Sequence, residues 1–376
     1  MSVTIKRVLD KRDLRKFIRF PEILYRNNSC YVPALVFDES NTLNPAKNPG
    51  SAFCKSELYL AYKDGKLVGR VAAIVNQKAN EQWKHQEVRF GWFDFFDDPE
   101  ISEALISKVI DFGRKMGMDK IVGPLGFTDF DPEGMLIEGF DQEGTMPLIY
   151  NAEYYPKHME ALGFRKDADW LEYRITIPEE LPERYIRMAE IIKERNNLHI
   201  RPLTKKYVRK NNYGQKVFDL INETYKELYN FTVMPRDLAD KYLGFYLSVL
   251  DLDFISVVEN EKDELIAFGI TMPSLTKALQ KSRGKLFPFG WIPILRSMYI
   301  KHEEGVELLL IGVRPDYRNA GLTSLLFADM FGKLSKAGFK WAETNAELET
   351  NSAIRNSWSG FEYVQNKRRR SYIKEI

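Results

Sequence analysis

The part of this 376-residue chain that most restricts its fold lies between Gly305 and Gly338. An apolar run from Gly305 to Val313 passes straight into Arg314-Pro315-Asp316-Tyr317-Arg318-Asn319-Ala320-Gly321, and an amphipathic helical pattern follows from Leu322 to Lys336. Strand, proline–glycine turn and helix must therefore succeed one another without a spacer. The first turn of a helix presents backbone N–H groups that have no intrahelical acceptor, together with a partial positive charge. Glycine at that edge lets an anion approach the backbone closely, and Arg318 is placed to add a charge-assisted contact. The segment reads as an anion cradle suited to phosphate, with a plain tight turn as the alternative.

Elsewhere the chain alternates short strands and helices. The first part holds a helical pattern over Lys11–Arg26, a hairpin of Leu58–Tyr62 and Leu67–Val75 across Lys63-Asp64-Gly65-Lys66, and a strand over Val88–Phe96. A helix over Pro99–Met116 and a short strand over Lys120–Gly123 follow. Pro178-Glu179-Glu180-Leu181-Pro182 marks a boundary, and a connecting helix spans Glu183–Asn196. The same order then returns. It comprises a strand at Ile200–Leu203, a long helix over Tyr207–Tyr229, a hairpin of Phe254–Glu259 and Leu265–Met272, and the Gly305–Lys336 segment. A strand over Lys340–Asn345, a helix from about Asn351 and a final strand pair ending near Ile373 complete it. The order predicts an α/β (α+β) protein of two tandem units, residues 1–177 and 198–376 joined by 178–197, each with a mixed, mostly antiparallel sheet.

Composition excludes several classes. Lys plus Arg number 55 against 53 Asp plus Glu, so the chain lacks the basic surplus of a nucleic-acid binder, and Arg368-Arg369-Arg370 is only a local cluster. The two cysteines, Cys30 and Cys54, have no metal-ligand spacing and form no disulfide framework, so no metal site is expected. No apolar run is long enough to span a bilayer, and the N-terminus lacks a signal-peptide pattern, which predicts a cytoplasmic protein.

The loop Val313-Arg-Pro-Asp-Tyr-Arg-Asn-Ala-Gly-Leu resembles the acyl-CoA-binding motif of the GNAT N-acyltransferase superfamily, with Thr323 standing where that motif usually has Gly or Ala. The resemblance implies an acetyl-CoA or longer acyl-CoA cosubstrate held by Ile311, Val313, Arg318, Asn319, Ala320, Gly321, Leu322 and Thr323. It also implies that a bulge amide on the strand supplying Leu309, Leu310 and Ile311 binds the thioester carbonyl. The equivalent turn of the first unit is Asp97-Asp98-Pro99-Glu100, whose carboxylates repel an anion, so one CoA per chain is expected. The segment Asn351–Phe361 resembles the helix that often carries a thiolate-protonating Tyr, but Asn356 or Trp358 stands there instead.

Further segments resemble a tandem bacterial branch of that superfamily that includes ceramide synthases: Gly91-Trp-Phe-Asp-Phe-Phe-Asp-Asp, Gly134-Met-Leu-Ile-Glu-Gly-Phe-Asp, Tyr150-Asn-Ala-Glu-Tyr-Tyr-Pro and Gly284-Lys-Leu-Phe-Pro-Phe-Gly-Trp. This implies an N-acyltransferase acting on a primary amine, with a long-chain, sphingoid-type amine as the acceptor class. Acetylation of a small amine and a non-catalytic acyl-CoA sensor are the alternatives.

Strand alternation puts Glu343, Asn345 and Glu347 on one face. Glu343 or Glu347 is the candidate general base, Tyr150 is a candidate catalytic group, and Asn345, Asn151, Tyr155 and Glu133 are candidate acceptor-binding residues. Residues 286–296 form an aromatic and aliphatic run flanked by cations. It suits a peripheral contact on the inner membrane face, a tunnel wall for an acyl chain, or a buried insertion between the units.

Overall fold

A computed structural model describes residues 2–236, 238–240, 242, 250–351, 358 and 360–376. Its strands are β1 Thr4–Arg7, β2 Cys54–Lys63, β3 Lys66–Asn76, β4 Glu87–Phe95, β5 Lys120–Gly123, β6 Met135–Glu138 and β7 Arg165–Thr176. The second half adds β8 Leu198–Ile200, β9 Ile255–Asn260, β10 Leu265–Pro273, β11 Gly305–Val313, β12 Trp341–Thr344, β13 Glu347–Leu348 and β14 Tyr363–Glu375. The helices are α1 Lys11–Leu24, α2 Val36–Thr42, α3 Gln77–Trp83, α4 Pro99–Lys115, α5 Tyr154–Ala161 and α6 Glu183–Asn196. They continue with α7 Lys205–Lys210, α8 Tyr213–Tyr225, α9 Thr276–Ser282, α10 Trp291–Tyr299 and α11 Leu322–Lys336.

Local chemistry accounts for most of these limits. Asp10 and Asp98 cap α1 and α4 by accepting from Asp13 and Glu100 amides. Asp64 and Gly65, both at positive φ, turn the β2–β3 hairpin. The expected long helix over Tyr207–Tyr229 is instead two helices, α7 and α8. Asn212 adopts φ 49° between them, and its left-handed backbone ends one helix before the next begins.

All fourteen strands belong to one sheet, ordered β1-β2-β3-β4-β5-β14-β7-β12-β11-β10-β9-β8, with β6 beside β14 and β13 beside β7. The pairings are antiparallel except β4–β5 and β11–β12. Both halves thus share one pattern, a meander followed by a helical crossover to a parallel strand. The halves also exchange strands. β14, last in the chain, lies between β5 and β7, while β7 pairs with β12 of the second half. The expected final strand pair is this single long strand.

The exchanged strands are fastened by ion pairs to buried carboxylates. Arg368 and Arg370 both bond Asp169 (2.8 and 2.7 Å), and Arg369 bonds Glu172, while Lys367 and Arg174 bond Glu343. The basic cluster seen in the sequence is therefore internal to the sheet seam. Removing one partner of such a pair strands a buried charge, which typically costs about 3–5 kcal/mol.

Candidate functional site

The loop after β11 folds into a short 3-10 turn, Pro315–Ala320, and Gly321 at φ 77° starts α11. No side chain caps α11, so the amides of Leu322 and Thr323 in its first turn lack an intrahelical acceptor. Arg314 is engaged by Asp316 (2.8 Å) and Glu264 (3.3 Å). Arg318 is exposed, and among the described residues its guanidinium donates to the Thr224 carbonyl at 3.5 Å. The connecting helix supports the cradle from beneath, since a Cβ at Gly321 would lie 3.1 Å from Ile192. The same place in the first half is self-filled. Asp98 caps α4, and Lys63 bonds both Asp98 (2.6 Å) and Glu100 (2.8 Å).

Upstream of the loop, β11 leaves regular pairing. Its register with β10 slips between Ile270↔Leu310 and Thr271↔Leu308, which makes Leu309 a bulge. Its parallel register with β12 ends at Leu308↔Thr344, beyond which the strands part. Asn345 spans the start of the gap, its amide donating to the Leu308 carbonyl (3.0 Å) and its side chain to the Leu309 carbonyl (3.2 Å). Further along, the Tyr225 hydroxyl from α8 donates to the Ile311 carbonyl (2.7 Å) and accepts from the Ile311 amide (3.3 Å). Burial pushes this phenol up to about 12, and the nearby Glu347 charge adds to the shift. A neutral donor therefore sits on the open strand edge at neutral pH.

A cavity of about 180 Å³ adjoins the bulge. One wall comes from the first half, with Asp129, Phe130, Asp131, Glu133, Met146 and Leu148, and Leu309, Leu310 and Asn345 face it. The remainder is almost wholly apolar, including Val208, Val217, Phe218, Ile221, Leu250, Val257 and Phe268. Burial raises the three carboxyls. Asp129 rises to about 6 although it accepts the Thr232 amide (2.8 Å), and Asp131 to about 7 although it accepts the Thr128 amide (2.9 Å). Glu133 lies well above its usual range, through burial first and the Asp129 charge second. The site is thus an apolar space with three buried carboxyls at one end, next to an open strand edge.

The expected residues divide between several places. Glu133 and Asn345 line this cavity. Tyr150, Asn151 and Tyr155 line a smaller one of about 90 Å³, beside the first half's own strand opening, where Arg70 and Asp94 form a buried pair. The two cavities share Met146 and Leu148. Asn151 bonds both the amide and carbonyl of Leu136, and Tyr150 bonds Asn28 and the Phe140 carbonyl, so each braces a loop rather than facing the bulge.

Glu343, an expected general base, sits in the strand seam. It is 1% exposed, and Lys367 and Arg174 hold its carboxyl below the usual range despite burial, so it balances charge in the seam. Glu347 remains close to Tyr225. Most of the expected helix Asn351–Phe361, including Asn356, lies outside the described residues; Trp358 is buried against Tyr173 and Phe327. Sequence reasoning missed Tyr225 because no local pattern ties a helix-end tyrosine to a strand 86 residues away.

One solved structure, a tandem GNAT protein from the clavulanic acid biosynthesis pathway, superposes along the whole chain. It has a TM-score of 0.56 at 11% identity, covering 100% of this chain and 98% of that one. The chain is a tandem protein of the GNAT fold. A second GNAT structure, the glucosamine N-acetyltransferase region of a fungal multi-domain β-N-acetylglucosaminidase, matches with TM-score 0.57 and 12% identity over 99% of this chain and 38% of that one. Among curated proteins, the chain is 25% identical to Protein YghO of Escherichia coli K12 over 379 residues, 99% of this chain and 95% of YghO. It is 23% identical to the bacterial ceramide synthase of Caulobacter vibrioides over 354 residues, 91% of this chain and 89% of that one. No protein-family profile matches the chain.

Proposed function

We propose that this tandem GNAT protein is an acyl-CoA-dependent N-acyltransferase whose acceptor is a long-chain primary amine. The observation that carries the reading is the apolar cavity lying between the β11 bulge and the carboxyls of the first half. A small polar amine needs no such space, whereas an alkyl chain gains about 0.8 kcal/mol for each methylene it buries there. The likeness to bacterial ceramide synthase supports the same acceptor class.

The pyrophosphate would rest on the amides from Asn319 to Thr323 with Arg318 beside it, and the thioester would lie along the open edge of β11. Ammonium is not a nucleophile, so a proton must leave first. Asp129 and Asp131, raised by burial to about 6 and about 7, are suited to accept it. The amine nitrogen then attacks the thioester carbon, a strand-edge amide stabilises the developing oxyanion, and the C–S bond breaks. The Tyr225 hydroxyl, which donates to the Ile311 carbonyl in the free chain, would turn its proton toward the departing sulfur; the acylated nitrogen sheds a second proton, which the sulfur takes up to leave as the thiol.

The expected peripheral contact of 286–296 with the inner membrane face belongs to the same reading, because a lipid amine is delivered from a bilayer. No helix among the described residues is long and apolar enough to cross a membrane.

Thermal unfolding with CoA, acetyl-CoA and palmitoyl-CoA, each saturating and below its micellar concentration, tests the proposal. A ligand at about 100 times its Kd adds roughly 2.7 kcal/mol of stability. Palmitoyl-CoA should stabilise beyond CoA alone. Equal stabilisation by acetyl-CoA would favour a small acceptor, and no shift with any of them would remove CoA binding.

A further inference from the structure

The segment around α10 has an outer face that the fold leaves uncovered. Of the seventeen large apolar side chains exposed among the described residues, seven lie here: Phe287, Phe289, Trp291, Ile292, Leu295, Tyr299 and Ile300. Phe287 and Ile300 are each 79% exposed and Phe289 71%, so whole side chains, not edges, meet solvent. The opposite side of the helix is anchored. Ile294 and Met298 are buried in the core that also contains the cavity residues Val208, Phe218 and Leu250. Helical spacing thus splits α10 into a fixed inner stripe and a free outer one.

Charge identifies what the outer face fits. From Pro273 to His302 the chain carries six cations, Lys277, Lys281, Arg283, Lys285, Arg296 and Lys301, and no Asp or Glu. All but the half-buried Lys285 are exposed, within a chain whose overall balance is only +2. Aromatic rings lie at headgroup depth while flanking cations meet anionic headgroups. A second copy of this chain is the poorer occupant, since a two-fold contact would set the same cations against themselves.

We infer that residues 281–301 dock the protein onto an anionic lipid bilayer, with the outer face of α10 and the Phe287–Phe289 tip at the depth of the headgroups. The inference deepens the lipid-amine reading and its purpose rests on it, because the helix that meets the bilayer buries its inner face in the same core cluster that contains cavity residues. The docking itself is measured without turnover.

The test is flotation of the full chain with vesicles of neutral phosphatidylcholine or of phosphatidylcholine mixed with phosphatidylglycerol. Binding to the anionic vesicles should exceed binding to the neutral ones by at least about tenfold at low salt and weaken as salt rises, each cation contributing about fivefold. Phe287→Ser with Phe289→Ser, and separately Lys281→Glu with Arg296→Glu, should each weaken binding about tenfold or more while the CoA-induced thermal shift stays intact. Trp291 fluorescence should move to the blue on binding. Equal, absent or salt-independent partitioning overturns the inference, as does a concentration-dependent dimer abolished by the same substitutions. Loss of the CoA shift in the parent chain would instead remove the enzymatic reading and leave the vesicle result standing.

Discussion

Val217, on the face of α8 that lines the cavity, gives the sharpest perturbation of alkyl-chain recognition. The cavity holds about 180 Å³. At about 30 Å³ for a water-sized group, that is room for roughly six methylenes. Six buried methylenes at about 0.8 kcal/mol each amount to roughly 5 kcal/mol, or between three and four orders of magnitude in Kd as an upper bound. Val217 is only partly buried, so an indole in Val217→Trp can enter this space without breaking a packed core. The variant should bind CoA and acetyl-CoA as the parent does, yet lose most of the preference for long chains. The assay is isothermal titration of the full chain with acyl-CoAs from two to sixteen carbons. In the parent, affinity should climb about fourfold per methylene until the cavity is full and then level off. In the variant, the levelling should come several carbons earlier. The same titration is run with primary amines of rising chain length, and a break that appears in neither the acyl nor the amine series, or that Val217→Trp leaves unmoved in both, would refute the assignment of this cavity to an alkyl chain.

Three other perturbations separate the parts of the site. Gly321→Trp forces a bulky residue into a left-handed backbone and against Ile192; it should cost about 1–2 kcal/mol in stability and abolish the CoA-induced thermal shift, and a retained shift would contradict the phosphate cradle. Tyr225→Phe should lower kcat by about a hundredfold while KM for acyl-CoA stays within about threefold. Unchanged turnover with tighter acyl-CoA binding would mean the hydroxyl only props the open strand edge. Glu307 is buried, makes no hydrogen bond of normal geometry, and is raised to about 8 by burial and then by Glu343. It therefore stays protonated in the folded chain, while the unfolded chain loses that proton near 4.5, so stability falls as pH rises from about 4.5 to about 8. Glu307→Gln should match the parent at pH 4.5 and exceed it by roughly 2–4 kcal/mol at pH 8.5 in urea unfolding, and equal stability at both values would sink this account.

The local elements were legible because their signals are local. The proline and glycine of residues 315–321, the Asp98-Pro99 cap and the Asp64-Gly65 turn each act within a few residues, and the matching elements appear in the fold. The seam was not legible. Alternation marks β14 as a strand, but its pairing with residues 165–176 depends on charges about two hundred positions away, such as Arg370 with Asp169. The ion pairs of Glu343 were hidden for the same reason, since its partners Lys367 and Arg174 come from two other strands. From the loop Asp129–Gly134, Glu133 stood out in the sequence as a candidate acceptor-binding residue. Only the fold shows that it closes a cavity belonging to the other half, which is how a unit with a self-capped helix can still contribute to the site.

The central claim is acyl transfer to a long-chain amine, and the direct measurement follows both products at once. The full chain is incubated with palmitoyl-CoA and a long-chain primary amine, with free thiol read by colour and the amide by mass spectrometry. The account predicts equal amounts of thiol and amide, far slower release with a short polar amine, and neither product from Gly321→Trp. Binding of palmitoyl-CoA with no thiol released for any amine would contradict it and make the protein an acyl-CoA sensor.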